Sequence, residues 1–465
     1  MRASLSLVLI VACGGGDPPT EPEFPAWDRT LPEARVMGSW RGLVPARGIV
    51  HLHSPYSHDA CDGEPRDASG VPNEPCLQDL RRALCDTKID FAALTDHDAS
   101  MADEDFTTLF SMRGGDVAVT NGGGEQVASR MTCDDGFHVT FTIGGENDLM
   151  PIMLERHVAG AVAERHDTYN GNDAAAVAAF HAAGGLAWVA HTESKTLDTL
   201  HATVPDGIEV YNLHANIDPD IRSEFLGLPA AGALSAAAEF ADTNPGHPEP
   251  DLAFLAFVSP NSPAITTWNA LLSEGRRIGA TAGSDAHQNA IPIVFADGER
   301  GDSYRRVMRW FSNIALVADP EDPAGVRAAL QAGRLFTVME VMGTPEGLDI
   351  HATGTGTYEL GDLIPAGDAA TLSIAIPHVR GLDPALAIPE VRARVIRIEA
   401  GGRVTDVATS APGDTELVVP LPGSGAYRVE LTIVPLHLAP YLGDLGPDLA
   451  GAELPWIYAS PIYVE

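Results

Sequence analysis

Two stretches decide the fold: GIVHLHS at residues 48–54 and IDFAALTDHD at residues 89–98. Each begins as a short apolar run with the composition of a β-strand and ends in histidine or aspartate residues. Six further candidate strands have a similar apolar core, and they span residues 116–120, 138–143, 186–191, 207–212, 278–282 and 313–318. Helix-like stretches such as 173–183 and 264–274 lie between them and are followed by glycine. This alternation predicts an α/β protein with a parallel sheet.

Polar residues collect just past the carboxyl end of nearly every predicted strand. A (β/α) barrel places its active site at that end of its strands, whereas no glycine-rich dinucleotide fingerprint follows the first strand here. We therefore expect a distorted, TIM-like barrel and not an open nucleotide-binding sheet.

The pattern of the sequence changes after about residue 343. Short, partly alternating strands at 371–376, 391–399, 416–420 and 426–434 are separated by Gly, Pro and Asp turns. They predict a small C-terminal β-sandwich-like domain. We expect four regions, which are a signal segment at 1–13, a tether and lead-in at 14–46, the main domain at 47–342 and the β-rich domain at 343–465.

The composition limits the partners of the chain. Its 465 residues are 45% hydrophobic and 20% charged, as in ordinary globular proteins, but 29 Lys and Arg stand against 64 Asp and Glu, a net charge of −35. Such a field repels nucleic acid and anionic lipid. A small anionic substrate is still compatible with it where bound metal reverses the local charge.

The N-terminus has the form of a secretory signal, with Met1-Arg2, an apolar stretch at 5–12 and then Cys13. Ile10-Val11-Ala12-Cys13 resembles a bacterial lipobox, in which Cys13 is lipidated. We expect an exported protein that is lipid-anchored to the cell envelope, at the periplasm or outer membrane, and that touches a membrane only through this lipid. An ordinary cleaved signal, or a chance apolar start, is the alternative.

Four further cysteines follow, Cys61, Cys76, Cys85 and Cys133, an even number that predicts disulfides in an exported protein. Three pairings are possible. Cys61 with Cys76 is our first expectation because these two bracket a loop rich in Pro, Gly and Asp, and Cys85 with Cys133 is the second. No two of the four have the CxxC spacing of a zinc-thiolate site.

The candidate functional residues are imidazoles and carboxylates at strand ends: His51, His53, His97, Glu125, His138, His191, Asp285 and His287. A single histidine at such a place is usually a hydrogen-bonded core residue, but packing does not explain six of them. The period of two in His51-Leu52-His53 puts both imidazoles on one face of the strand, where they can chelate one ion. In Gly123-Gly124-Glu125, a carboxylate follows two glycines, which have no side chain and therefore allow another part of the backbone to approach closely.

Imidazole and carboxylate without thiolate suit zinc, manganese or iron. Eight or more ligands exceed the needs of one ion, so we expect two ions that share a carboxylate, or three. Such clusters lower the pKa of bound water to roughly 7 and clamp the attacking and leaving oxygens between ions about 3.5 to 4 Å apart.

The successive motifs HLHSPYSHD, LTDHD, GGE, FHV, AWVAHTE, IEVYN and AGSDAH resemble those of the polymerase and histidinol phosphatase (PHP) superfamily over about residues 48–340. The signal segment, the β-rich tail and the closing ASPIY are similar to its carbaryl-hydrolase-like (CehA/McbA) metallohydrolase branch. The resemblance implies a distorted (β/α)7 barrel that holds two or three divalent ions.

The resemblance also implies a ligand set. His51, His53, Glu125 and Asp285 would surround one ion, and Glu125 would bridge to a second held by His138 and His191. A third would use His97, His287 and a carboxylate of the first motif. At that point the family usually has Asp, whereas this chain has His58 followed by Asp59, and either could serve.

The expected activity is a metal-dependent hydrolase that uses metal-bound hydroxide on a small, anionic ester. A phosphoesterase is favoured because the cationic centre would attract phosphate and because phosphate ester hydrolysis is frequent in the superfamily. Amide or carbamate hydrolysis at the same site and a non-catalytic, metal-binding surface lipoprotein are the alternatives. Glu125 and Asp285 would act through the metals and His58 would protonate the leaving group. Lys195 and Asn212 are weaker candidates for contact with the substrate, since a solvated surface role suits Lys195 better.

Overall fold

The computed structural model describes residues 24–230, 238–244 and 246–465. The expected signal segment and lipidation site at Cys13 lie outside the described residues. Within them, the helices are all too short or too polar to span a bilayer.

The described residues form strands that we number in chain order. They are β1 Val44–Ile49, β2 Phe91–Leu94, β3 Val117–Thr120, β4 Gln126–Thr132, β5 His138–Ile143, β6 Met150–Ile152, β7 Leu186–Trp188, β8 Gly207–Asn212, β9 Gly279–Gly283, β10 Ser312–Val317, β11 Leu335–Val338, β12 Pro345–Glu346, β13 Asp349–Thr353, β14 Thr357–Tyr358, β15 Leu363–Ile364, β16 Thr371–Ala375, β17 His378–Val379, β18 Glu390–Ile398, β19 Val404–Thr409, β20 Glu416–Pro420, β21 Gly425–Val434 and β22 Leu454–Val464.

Most helices lie between the strands of the first two thirds of the chain. The α-helices are Glu74–Asp86, Asp98–Met101, Phe106–Leu109, Val162–Tyr169, Ala174–Ala182, Leu197–Thr203, Leu213–Ile217, Pro219–Glu224, Ser262–Ser273, Tyr304–Trp310, Pro323–Ala332 and Gly446–Leu449. Short 3-10 segments are Ala34–Met37, Cys61–Gly63, Thr192–Ser194, Pro250–Leu252, Leu255–Phe257, Glu340–Met342, Leu436–Tyr441 and Gly443–Leu445.

The apolar runs of the sequence form the strands that they predict. All eight candidate strands of the main domain overlap an observed strand, and so do the four candidate strands after residue 343. Every residue of β8 and β9 is buried, as expected for strands with both faces covered. The predicted helices at 173–183 and 264–274 are confirmed as Ala174–Ala182 and Ser262–Ser273.

The predicted closed barrel is not present among the described residues, because none of their sheets closes on itself. The largest sheet is mixed and runs β19-β18-β21-β22-β11-β10-β1-β2-β5-β4-β3, with β15 added beside β22. β1, β2 and β5 are parallel, but β10 lies antiparallel to β1. The parallel pair β8-β9 is a separate sheet, and a single bridge between Leu52 and Ala286 joins its continuation to that of β1. Around the site, the strands therefore end in turns that carry the candidate ligands, and a single bridge takes the place of a continuous hydrogen-bonded ladder between β1 and β9.

The β-rich tail is joined to the rest of the protein through β22. This strand pairs with β11 on one side and β21 on the other, and nine of its eleven residues are buried. A second sheet, of order β14-β13-β16-β20, carries the alternating burial pattern expected of half-exposed strands, for example in β16. Buried side chains of both parts, such as Phe336, Trp456 and Ile374, belong to one continuous apolar cluster.

Both expected disulfides are present, Cys61–Cys76 and Cys85–Cys133. Cys76 lies in the first turn of the helix Glu74–Asp86 and Cys85 in its last turn, so this helix is tethered at both ends. The Cys61–Cys76 bridge closes the loop that follows the first histidine motif.

Candidate metal centre

Five chain segments meet at one site, and three of them follow the parallel strands β1, β2 and β5. The chain leaves β1 through His51 and His53, leaves β2 through His97 and leaves β5 through Glu146. The turn after β9 adds Asp285 and His287, and the turn after β7 adds His191. Eight side chains converge, and we call them the cluster: His51, His53, Asp59, His97, Glu146, His191, Asp285 and His287.

The cluster contains two groups of four, and in each group the candidate ligand atoms lie within 4.8 Å of one another. The first group is His51, Glu146, His191 and Asp285. Its imidazole Nε2 atoms lie 3.1 Å (His51) and 3.2 Å (His191) from the Glu146 carboxylate, and 3.3 Å and 3.2 Å from that of Asp285. Two donors bound to one tetrahedral zinc ion are about 3.4 Å apart, so these separations suit a shared ion.

The second group is His53, Asp59, His97 and His287. Asp59 Oδ2 lies 3.1 Å from His287 Nε2 and 3.4 Å from His97 Nε2. The His53 and His287 rings stack with their centroids 4.0 Å apart. Asp59, and not His58, therefore provides the carboxylate of the first motif.

Glu146 and Asp285 connect the two groups. Glu146 Oε2 lies 3.0 Å from His53 Nε2, and Asp285 Oδ1 lies 3.3 Å from His53 Nε2 and 3.1 Å from His287 Nε2. Each carboxylate thus faces imidazoles of both groups. Two carboxylates shared by two four-residue groups are the arrangement of a two-metal site.

The imidazoles are oriented for metal binding. Their Nδ1 atoms contact partners outside the cluster: Glu209 Oε1 at 2.7 Å for His51, Ser57 Oγ at 3.0 Å for His53, the Glu146 carbonyl at 2.9 Å for His97 and Glu193 Oε1 at 3.3 Å for His191. The Nε2 atoms of His51 and His53 are buried and face the carboxylates of Glu146 and Asp285 without the geometry of a hydrogen bond. Imidazoles held through Nδ1 with Nε2 directed inward are typical of metal ligands. The residues present therefore fit divalent cations.

Glu209 is not one of the candidate ligands, but it orients the first group through hydrogen bonds. It is fully buried, and besides holding His51 it accepts hydrogen bonds from the His191 backbone N–H and the Asn212 side chain, both at 3.0 Å. The neighbouring strand must carry glycine at Gly283, since a Cβ there would lie 1.9 Å from Glu209 Oε1. The IEVYN and AGSDAH motifs are thus coupled through this carboxylate.

Two ligands have a backbone conformation that L-residues rarely adopt. His191 has φ 50° and Asp285 has φ 51°, both in the left-handed region. Such residues are held at a cost of roughly 1 to 3 kcal/mol and concentrate at functional sites. Here the conformation turns each side chain from the end of its strand into the cluster.

The charges of the cluster shift the pKa values of its members in opposite directions. Burial lowers the pKa of His51, but the carboxylates of Glu146, Glu209 and Asp285 outweigh this and raise it well above its usual value. Burial raises the pKa of Asp285, but the neighbouring histidines, His287 first, bring it well below the usual range. The pKa of His287 differs from that of His51, because burial and the neighbouring His53 lower it. Without metal, the cluster accordingly pairs protonated imidazoles such as His51 with ionised carboxylates. Bound cations would replace those protons.

The structure brings together seven of the nine predicted metal ligands: His51, His53, Asp59, His97, His191, Asp285 and His287. It does not bring Glu125 or His138 to the cluster. Glu125 is exposed in the turn between β3 and β4, where Arg156 donates to it at 2.8 Å. His138 is the first residue of β5 and contacts Glu321 at 2.8 Å. A six-residue strand is about 17 Å long, so His138 lies at the end of β5 that points away from the site.

Glu146 takes the position that we expected for Glu125. The chain contains two Gly-Gly-Glu triplets, and the one that follows an apolar strand is Gly144-Gly145-Glu146. A Cβ at Gly144 would lie 2.4 Å from the Pro151 carbonyl oxygen, and one at Gly145 would lie 2.7 Å from the Met101 side chain. Close backbone approach therefore requires this pair of glycines. The strand in front of the triplet is the sequence signal that could have identified Glu146.

The other predicted site residues are placed around the cluster or away from it. His58 is exposed, with its ring centroid 5.1 Å from that of His97. Lys195 pairs with Asp148 at 2.9 Å. Asn212 is buried, donates to Glu209 and caps the helix Leu213–Ile217, so it is not available to a substrate. His214, in the helix Leu213–Ile217, has its Nδ1 2.8 Å from Asp285 Oδ2.

A further acidic group, Glu249, Asp251 and Asp297, lacks the character of a metal site. Asp251 forms ion pairs with Arg305 at 2.5 Å and with Arg306 at 2.6 Å. Its charge is already balanced by arginine.

No protein-family model matches the chain, and no curated protein does. Among solved structures it is similar to a two-domain protein containing a predicted PHP-like metal-dependent phosphoesterase from Bacteroides vulgatus ATCC 8482, with 12% identity and a TM-score of 0.36 over 93% of this chain and 99% of that one. It is also similar to the PmoD soluble domain from Methylocystis sp. ATCC 49242, with 12% identity and a TM-score of 0.17 over 25% of this chain and 90% of that one.

Proposed function

We propose that the protein is a metal-dependent hydrolase, and more specifically a phosphoesterase, that works with two divalent cations. The observation that carries the proposal is the pair of four-residue groups that share Glu146 and Asp285. The motif resemblance to the PHP superfamily supports the same chemistry.

The first ion would be held by His51, His191 and the shared carboxylates, and the second by His53, Asp59, His97 and His287. Bound divalent ions of this kind lower the pKa of water and polarise a phosphoryl or carbonyl oxygen. Zinc, manganese and iron all suit this set of nitrogen and oxygen donors.

The residues of the chain supply orientation and access. His51 and His53 are fully buried and form the floor of the site, whereas the side chains of His97, His191 and His214 are 24%, 24% and 44% exposed. A substrate therefore approaches from the side of these three histidines. Asp285 holds the Nδ1 face of His214, and the exposed His58 stands beside His97. His58 is our proposed proton donor to the leaving oxygen.

Hydrolysis of an amide or carbamate is the second candidate function, and one observation favours it. Among the described residues, the side-chain partners of the central carboxylates Glu146 and Asp285 are histidines and include neither Lys nor Arg. A neutral carbonyl substrate needs no such cation. The similarity of the tail to the carbaryl-hydrolase-like branch supports this candidate as well.

The test combines metal content with a hydrolase screen. Purified protein, loaded with Mn²⁺ or Zn²⁺, is assayed on aryl phosphate mono- and diesters, aryl carbamates and aryl amides, and its metal content per chain is measured by mass spectrometry. We expect about two ions per chain and hydrolysis of phosphate esters. Preference for carbamates would replace the first candidate by the second. Two bound ions without turnover of any substrate would favour a non-catalytic metal-binding protein.

Glu146→Gln and Glu125→Gln form a matched pair for the ligand assignment. Glu146→Gln removes a shared carboxylate and is expected to lose bound metal and at least about a hundredfold of activity. Glu125→Gln should leave both unchanged, because the Glu125 side chain is exposed and accepts hydrogen bonds from Asn121 and Arg156, which lie outside the cluster. Retention of metal and activity in Glu146→Gln would refute the assignment.

We also propose that the protein is exported and lipid-anchored through Cys13. The two disulfides support export, because such bonds persist in oxidising compartments. Cys13→Ser should move the protein from the membrane fraction to the soluble fraction of the envelope. An unchanged membrane fraction would contradict the anchor.

A further inference from the structure

An apolar cavity adjoins the cluster. Leu213, Ile217, Phe254, Ile291 and Val307 provide its apolar walls, and its volume is about 60 Å³. Asp285 and His287 also line it, so one end of the cavity opens on the proposed metal ligands. A group bound to the reacting centre can therefore extend directly into this space.

The cavity wall also includes the polar residues His214, Ser284, Gln288, Asn289 and Asp302. The Ser284 hydroxyl donates to the His51 carbonyl, and the Asn289 side chain donates to the Asp59 carbonyl at 3.0 Å. Asp302 accepts hydrogen bonds from the backbone N–H groups of Ala290 and Ile291, both at 2.7 Å, and pairs with Arg300. Its carboxylate is thus occupied by the protein. The remaining contacts that the cavity offers a ligand come mainly from aliphatic and aromatic side chains.

The volume limits the size of the occupant. A cavity of 10 to 15 Å³ holds a water molecule, and one of about 150 Å³ holds a benzene ring. The value of about 60 Å³ lies between these limits and suits a branched alkyl group of about three carbons. An aromatic ring is too large unless the walls move.

The charged side chains near the cluster restrict the charge that the substrate can carry. The described residues that line the cavity include neither Lys nor Arg. The nearby Arg300 is engaged by Asp62 and Asp302 at 2.7 Å and 2.6 Å. A doubly charged phosphate monoester would find no Lys or Arg among these lining residues, whereas a phosphodiester carries one negative charge only.

We propose, on the basis of the phosphoesterase function above, that the substrate is a phosphodiester with a small branched alkyl group that occupies this cavity. In the reaction the oxygen of one water bonds to phosphorus and the P–O bond to the other alcohol breaks. One proton of the water goes to the departing alcohol oxygen and the other to the alkyl phosphate product. The alkyl group stays on phosphorus and in the cavity.

The experiment uses p-nitrophenyl phosphodiesters whose second group is methyl, ethyl, isopropyl or phenyl, with p-nitrophenyl phosphate as the monoester. We expect kcat/KM to rise about tenfold from methyl to isopropyl, since each buried carbon contributes about 0.8 kcal/mol. The phenyl diester and the monoester should both react more slowly than the isopropyl diester. A phenyl diester or a monoester that reacts as fast as the isopropyl diester would overturn the proposal.

Ile217→Ala and Ile265→Ala are the test variant and its control. Both isoleucines are partly buried and lie in helices, but only Ile217 lines the cavity. Ile217→Ala should raise the ratio of phenyl to isopropyl kcat/KM by about tenfold because it enlarges the cavity. Ile265→Ala should leave the ratio unchanged. Equal ratios in the two variants would contradict the assignment of the cavity.

A binding measurement distinguishes a failure of this inference from a failure of the proposed function. If no phosphate ester is hydrolysed, the phosphoesterase proposal fails. The cavity is then tested by calorimetry with isopropyl methylphosphonate and phenyl methylphosphonate on the metal-loaded protein. Tighter binding of the isopropyl compound in wild type, lost in Ile217→Phe, would support the alkyl site. Equal affinity for both compounds would refute it.

Discussion

Glu209 lies next to the cluster and contacts two of its histidines, His51 and His191. One carboxylate oxygen contacts His51 Nδ1 at 2.7 Å, and the other accepts from the His191 backbone N–H at 3.0 Å. The carboxylate therefore fixes the direction of the His51 ring relative to the turn that carries His191. Partners of this kind orient a ligand and raise its basicity.

We predict that Glu209→Gln weakens metal binding by about 10- to 100-fold, because it removes the negative charge behind His51. Titration with a chromophoric chelator measures the affinity. Glu321→Gln is the control, since Glu321 forms a similar pair with His138 outside the cluster. Equal affinities of Glu209→Gln and wild type would show that Glu209 has no positioning role.

Residue types at strand ends were enough to predict most of the cluster. The HxH motif was readable because a period of two puts both side chains on one face of an extended segment. Glu125 and Glu146 follow the same Gly-Gly pair, and their difference is tertiary: one follows an antiparallel hairpin strand and the other a central parallel strand. His138 was misplaced because it is the first residue of its strand, whereas the site lies at the carboxyl ends of β1, β2 and β5.

At the scale of elements, the helix Glu74–Asp86 connects two disulfides with different surroundings. The Cys61 N–H donates to the His287 carbonyl at 2.9 Å, and the next N–H, of Asp62, donates to that of Gln288 at 2.8 Å. The Cys61–Cys76 loop thus borders the turn that carries Asp285 and His287. Cys85–Cys133 instead links the end of the helix to the strand pair β4-β5.

We predict that both disulfides stabilise the fold but that only Cys61–Cys76 supports the metal site. With sequence separations of 15 and 48, the chain-entropy model gives about 3 and about 4 kcal/mol. Paired Cys→Ser variants should lose stability in that order, as measured by urea denaturation. Metal affinity should fall only in Cys61→Ser/Cys76→Ser. Equal loss of metal from both variants would contradict this difference.

Strand positions were predictable from apolar runs, but strand pairing was not. β10 has the same apolar composition as β1, yet it lies antiparallel to it and prevents a closed parallel barrel. Pairing direction depends on the connection and on packing partners far away in the chain. Whether an apolar run is buried follows mainly from its own sequence. Which strands it pairs with depends on residues elsewhere in the chain.

For the whole molecule, the large sheet crosses the expected boundary between 342 and 343. β22 lies between β11 and β21, and Trp456 on this strand is fully buried and donates to the Gly343 carbonyl at 3.1 Å. We predict that a chain truncated after Met342 loses cooperative thermal unfolding, because β11 becomes an exposed apolar edge. Calorimetry of the truncated and full chains tests this. A sharp transition in the truncated chain would show that the first part folds by itself.

The balance of charge in the cluster makes the effect of metal on stability depend on pH. The pKa of His53 rises to about 9, because the carboxylates of Asp285 and Glu146 outweigh the opposing effect of burial. A histidine with a raised pKa stabilises the folded state fully below its unfolded value of about 6.5, and this contribution is lost as pH rises through about 9. Metal-free protein should therefore lose stability over that range.

Metal binding has the opposite dependence, because it requires neutral imidazole and displaces the same protons. The difference in Tm between the Zn²⁺-loaded and the chelator-treated protein should therefore increase from about pH 6 to about pH 8.5. Differential scanning calorimetry at several pH values measures it, with Glu146→Gln as the variant in which the difference should nearly vanish. A difference that stays constant or shrinks with pH would mean that the cations do not displace protons from these histidines.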